Sequence, residues 1–328
     1  MFNVIFVVIG TLIGAGFASG SEINLFFNRF GITGFFGIFI SMFIILFVMY
    51  RILSINLNIK ANSYNEFVYK KFNNKYIQLF LKIVIDSFAL ISFYVMVAGF
   101  SSFFSQELNV PKIFGSFIIC ISSFFIFNKS INAIVKVNTI LTPLLLILLL
   151  FLGFRCINID SISPSLTVSG DFFTSSILYA SYNIIILIPM LISLNKFINN
   201  KKSCIIISTI STAIILFLAI LISLILFSCN NIGNFNDIEL PIVFIASKIN
   251  VYYKYIYGAL ILIAIFTSSI ASGYSFLDNF ATKHFKYVNF LLCISGIFIG
   301  NISFSSLINL LYPIFGFLGI FSLSFLVI

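Results

Sequence analysis

The sequence contains no tryptophan, a single histidine, six prolines and five cysteines in 328 residues, and only 8% of it is charged. Each scarcity excludes something. His284 sits in the basic segment "KHFK" and reads as a solvated loop residue, so no Ser–His–Asp set can be assembled. Cys120, Cys156, Cys204, Cys229 and Cys293 stand singly, without CxxC or metal-ligand spacing. Five unpaired thiols is the favoured reading, with Cys156 and Cys229 close enough to one side of the chain to form a disulfide. The chain therefore does not read as an enzyme, and no organic cofactor is indicated. Scarce charge beside 61% hydrophobic residues also excludes a soluble domain of this size and leaves a polytopic membrane protein.

What is present is a series of apolar runs, each near the ~20 residues that a bilayer requires. They cover about Val4–Phe27, Thr33–Leu53, Ile77–Phe104, Ile113–Phe127, Ile131–Phe154, Phe172–Leu194, Cys204–Phe227, Tyr252–Phe280, Tyr287–Gly300 and Leu307–Ile328, ten in all. "DIELPIVFIASKI", ahead of the eighth, is too short to cross and reads as a surface helix or hairpin on the outer face. The first run has no basic segment before it and reads as an uncleaved helix. The net charge of +9 points to topology rather than to nucleic acid. With the N-terminus in the cytoplasm, thirteen lysines and arginines lie inside and five outside (Arg29, Lys112, Arg155, Lys248, Lys254). The expected setting is a plasma membrane, with the lipid bilayer and a small-molecule solute as partners.

The polar linker "NIDSISPSLTVSGD" splits the chain into residues 1–155 and 171–328, five spans each. An odd number per half inverts the second half relative to the first, which predicts one transmembrane domain built as a 5+5 inverted repeat. Counterpart spans one and six each carry an oddity. "GTLIGAGFASGSE" places Gly10, Gly14, Gly16, Gly20 and Glu22 inside span one. The glycine spacing fits close helix packing as well as unwinding. The nearby carboxylate favours unwinding, because it needs a partner or water. "LYASYNIIILIP" gathers Tyr179, Ser181, Tyr182 and Asn183 ahead of Pro189 in span six. Both spans are therefore expected to break, freeing backbone groups to face a cavity. The expected solute-binding residues are Ala15, Gly16, Ser19, Glu22, Tyr94, Ser181, Tyr182 and Asn183.

In span eight, "AIFTSSIASGYS" sets the Thr267 and Ser268 hydroxyls side by side. This stretch and "GTLIGAG" resemble helices eight and one of the bacterial leucine transporter in the neurotransmitter:sodium symporter family. The resemblance implies a sodium ion held by the carbonyls of Gly10, Ile13 and Ala264 and the hydroxyls of Thr267 and Ser268. It also aligns Tyr94 with a tyrosine that meets a substrate carboxylate. Phe17 replaces the asparagine of a second sodium site, and the gating arginine of that family is absent. "GTLIGAGFASGSEI", "YASYN", "ELPI" and "YPIFG" together resemble the YkvI-type membrane proteins of Gram-positive bacteria, in the amino acid–polyamine–organocation superfamily. What this implies is an all-α, ten-helix transporter of the leucine-transporter fold, with helices one and six broken.

The expected activity is secondary active, sodium-coupled uptake of an amino acid or similar small solute by alternating access. Two alternatives stand beside it. Asp86 in span three or Lys136 in span five could make the coupling ion a proton. A non-transporting amino-acid sensor, like the germinant-receptor membrane subunits that resemble the same superfamily, would bind without flux.

Overall fold

The computed structural model describes residues 2–127, 132–156, 171–198, 200–229, 238–277 and 282–327. Within them the chain forms α-helices and short 3-10 turns, with no strand among the described residues. Span one is divided into α1 (Phe2–Leu12), α2 (Ala15–Ser19) and α3 (Ser21–Phe26). Spans two to five are α4 (Ile32–Ile59), α6 (Lys75–Glu107), α7 (Lys112–Phe127) and α8 (Asn132–Cys156), with α5 (Tyr64–Lys71) between α4 and α6. The second half holds α9 (Asp171–Ser193), α10 (Lys201–Ser228), the short α11 (Pro241–Ile249), α12 (Val251–Leu277), α13 (Thr282–Ile299) and α14 (Phe304–Val327). Six of these, α4, α6, α9, α10, α12 and α14, are long and apolar enough to cross a membrane by length and composition.

Helices that are apolar all round have two apolar destinations here, protein and lipid. On α4, Ile38, Met42, Ile45, Met49 and Ile52 are buried at i, i+4, i+7 spacing, while Phe36, Phe39, Phe43 and Phe47 are exposed on another face. The exposed phenylalanines form the side a bilayer would cover.

The most enclosed of these helices is α9, which packs on α4 and α14. Small residues on both neighbours permit the close approach. A methyl group added at Gly316 or Gly319 of α14 would come within 2.8 Å of the Leu178 or Ser181 carbonyl oxygen. On α4, one added at Gly37 would come within 2.7 Å of the Ser176 hydroxyl.

Contrary to the sequence expectation, α9 is unbroken through "YASYN" and past Pro189. The polar cluster does not open the helix because its side chains find partners without doing so. Asn183 Nδ2 donates to the Tyr179 carbonyl one turn back, at 2.9 Å, and Tyr182 reaches across to span one.

The "ELPI" segment leads into α11, which packs on α12 and α2 as a short helix. Glu239 at its head gathers four elements. Its carboxylate pairs with Lys112 of α7, accepts from Ser102 of α6, and caps α14 through the Phe304 N–H at 2.8 Å. Its carbonyl accepts from Ser21 of α3 at 2.8 Å. Beside it, Gln106 and Leu240 exchange two hydrogen bonds and Lys254 pairs with Glu107 at 3.2 Å.

The connection from α4 to α6 contains α5, a helix that the span count passed over. Ser63 accepts from the Glu66 N–H at 3.2 Å, and Glu66 in turn accepts from the Asn62 N–H at 2.8 Å, a capping-box arrangement. The Asn62 bond, followed by Lys70, holds the Glu66 carboxyl below its usual range.

All five cysteines are free, and the thiols of Cys156, ending α8, and Cys229, capping α10, lie within hydrogen-bonding reach of each other. A disulfide at this position would tie the ends of α8 and α10 together. A mild thiol oxidant is therefore expected to join Cys156 to Cys229 within one chain. The measurement is peptide mapping without reductant, and recovery of both thiols free after oxidation would refute the contact.

Candidate functional site

Span one is interrupted twice, for different reasons. At its first break the chain leaves the helix after Leu12 and is extended at Gly14 (φ −80°, ψ −177°), a conformation any residue can adopt. The carbonyls of Gly10, Thr11, Leu12 and Ile13 then accept no main-chain hydrogen bond among the described residues. A methyl group added at Gly14 would meet only the Met96 side chain of α6, at 3.8 Å. At the second break Gly20 is left-handed (φ 83°), and it both ends α2 and starts α3. There the absence of a side chain is needed.

That left-handed turn brings Glu22 back over α2. The carboxylate lies against Gly16, where an added methyl would fall 2.7 Å from Glu22 Cγ and 2.8 Å from Cδ. Gly16 therefore makes the room that Glu22 occupies, while remaining helical itself. The Phe17 N–H donates to Glu22, and the Tyr182 hydroxyl of α9 donates to its Oε2. Glu22 is 4% exposed. Around it stand Phe26, Tyr179, Tyr182 and Tyr312, whose ring centroids are 4.8–5.5 Å apart in successive contacts. Tyr257 of α12 completes the surroundings of span one by donating to the Ala18 carbonyl at 2.7 Å.

Of the residues singled out from sequence, Gly16, Glu22 and Tyr182 are brought together. Ala15 and Ser19 are buried in α2, with Ser19 Oγ bonded to the Gly16 carbonyl at 3.1 Å. Ser181 is packed under Gly319 of α14, and Asn183 bonds within its own helix. Tyr94 is not brought to this cluster. Its hydroxyl is 2.7 Å from that of Ser295 on α13.

Of the expected sodium ligands, Thr267 Oγ1 donates to the Ala264 carbonyl at 3.0 Å, and α12 packs more closely on α2 than on α1. Neutral hydroxyls and freed carbonyls are the donor chemistry that a hard monovalent cation takes. No group of three or more His, Cys, Asp or Glu that could hold a metal occurs among the described residues.

Asp86 is half-buried on α6, and its charge, after burial, helps push the Tyr64 hydroxyl of α5 upward. The side chain of Lys136 lies outside the described residues. A separate cavity of about 260 Å³ between α6, α7 and α12 is lined by residues such as Phe100, Ile119, Leu262 and Phe266, and contains none of the Glu22 cluster.

Sequence reasoning missed Phe26 and Tyr312 as neighbours of the carboxylate, Tyr257 as a donor to span one, and the reach of Glu239. "YPIFG" contained a signal for Tyr312, a polar ring in an otherwise apolar span. Nothing local marked the other three.

A broken first span packed against a polar sixth, inside a ten-span bundle, defines a multi-pass membrane protein of the leucine-transporter fold. The comparisons agree. The chain is 26% identical to the Bacillus subtilis (strain 168) membrane protein YkvI, covering 96% of this chain and 92% of that one. It is 24% identical to YyaD of the same organism, covering 96% and 93%. Among solved structures, inward-facing Mhp1 superposes with a TM-score of 0.61 at 11% identity, over 99% of this chain and 75% of that one. A manganese transporter from Eremococcus coleocola gives 0.59 at 13% identity, over 99% and 77%. No family model matches the chain.

Proposed function

We propose that the protein is a secondary active transporter that moves a small organic solute, an amino acid or a compound of similar size, by alternating access. The observation that carries the reading is the first break of span one. Four consecutive carbonyls without main-chain partners, opposite the Met96 side chain of α6, are acceptors that a solute or ion site within a membrane can use. Glu22 and Tyr182 join the outer part of this broken span to span six, so closing and opening of the site would make and break that bond. Residues 1–155 and 171–328 are the two inverted repeats of this single transmembrane domain, with the N-terminus in the cytoplasm. The fold shared with Mhp1 and the manganese transporter supports this reading.

Sodium is the proposed coupling ion, held by the carbonyls of Gly10, Ile13 and Ala264 with Thr267 and Ser268. Counterflow of radiolabelled amino acids into proteoliposomes, with sodium replaced by choline, tests both halves of the proposal. Sodium is expected to stimulate flux, and Thr267→Ala with Ser268→Ala to abolish the stimulation. Equal flux in the two media would refute sodium coupling. Saturable binding with no flux under any condition would refute transport and make the chain a sensor.

A further inference from the structure

We propose that Glu22 is a proton-carrying group: the closed contact between spans one and six forms with this carboxyl protonated, and its opening releases the proton. Its place in a cycle rests on the transporter reading, whereas protonation itself can be measured without any solute. The geometry leads here by elimination of counter-charges. Glu22 is enclosed by protein, and the groups that act on its carboxyl are the Tyr182 hydroxyl and the Phe17 N–H, with no basic side chain among them; Lys70, Lys112 and Lys254 pair with Glu66, Glu239 and Glu107.

Among the elements packed on α3, a positive charge comes from the 3-10 turn Asn28–Phe30, but its Arg29 is exposed, lies over the Phe30 ring and is attracted by Asp171 rather than by Glu22. From α9 come Tyr179 and Tyr182, and from α14 comes Tyr312. From α2 comes the Phe17 N–H, and α10 contributes Ile222 beside Gly20 and Ser223 bonded to Asn28. Tyr257 of α12 is committed to the Ala18 carbonyl. Hydroxyls and one amide can donate to a carboxyl but cannot neutralise a carboxylate. An ionised, unpaired carboxylate in such surroundings is far costlier than the neutral acid. The closed arrangement therefore selects the acid.

Once the Tyr182 contact parts and water enters, the O–H bond of the acid breaks, water accepts the proton, and the carboxylate remains solvated. Closure reverses the step and takes one proton from the side then open. The role differs from that of Asp86, which is only half-buried on α6.

Infrared difference spectroscopy on the full-length protein in lipid, titrated from mildly acidic to alkaline pH, provides the test. A carbonyl stretch from a protonated carboxyl is expected in the wild type and should be missing in Glu22→Gln. Tyr182→Phe should shift its frequency by removing a hydrogen bond, a change that a purely structural role would not produce. Should Glu22→Gln fail to fold, Glu22→Asp keeps the carboxyl and is expected to move the band. In proteoliposomes loaded for uptake of mixed radiolabelled amino acids, an imposed pH gradient should change the wild-type rate severalfold and leave Glu22→Gln unresponsive. No carboxyl band in the wild type, or the same band in Glu22→Gln, would overturn the proposal. The expected band without flux in any gradient would uphold the proton site and sink the transporter reading instead.

Discussion

Gly16→Ala is expected to cut transport by at least about tenfold while leaving the protein folded. The new methyl group enters the space that Glu22 fills, but Glu22 ends in a flexible chain that can swing away. Folding is then little affected, and the cost falls on the Phe17 and Tyr182 hydrogen bonds. Hydrogen bonds to a neutral acid are worth about 1 kcal/mol each, so losing two shifts the closed arrangement by about thirtyfold. Counterflow at matched protein amounts, with a size-exclusion profile as control, measures the effect. Wild-type flux in Gly16→Ala would mean that the contact between Glu22 and span six does not matter to the cycle.

The same substitution at Gly34 should do the opposite. At the start of α4, an added methyl group would lie 2.7 Å from the Phe27 carbonyl carbon and closer still to its oxygen. Both are main-chain atoms of the turn joining span one to span two, where Gly31 already takes a positive φ of 61°. No rotamer relieves this clash, so the helix start must shift. Overpacking of this kind costs about 1–3 kcal/mol. Thermal unfolding in detergent should occur several degrees lower in Gly34→Ala than in wild type, with flux per folded molecule much less affected. An unchanged melting curve would mean that α4 does not approach Phe27 this closely.

The two glycines show what could be read from the sequence and what could not. Hydropathy placed the ten spans, because length and apolarity are properties of each segment alone, and "DIELPIVFIASKI" was recognisable as too short to cross. The weakness of span one was legible from its glycines. Their individual tasks were not, since Gly16 turns on where Glu22 folds back and Gly34 on the path of the preceding turn.

Span six misled for a related reason. A polar cluster looks the same whether it opens its helix or bonds across to another, and Asn183 and Tyr182 do their bonding without opening it. Tyr94 lies apart from the Glu22 cluster, its hydroxyl against Ser295, because spacing along α6 does not by itself say which neighbouring helix a side chain meets. The helix at Tyr64–Lys71 was announced by Ser63 and Glu66, but at eight residues it fell below the scale of a search for spans.

Glu239 carries a consequence for how its end of the bundle could move. One side chain holds α6, α7 and the start of α14, while its carbonyl holds Ser21. These attachments share a single residue, so they cannot be loosened in sequence along the rim. Withdrawing it would leave an amide, an ammonium and two hydroxyls seeking new acceptors at once. Parting of that rim should therefore be abrupt rather than graded, with water or an arriving solute standing in for the departing oxygens.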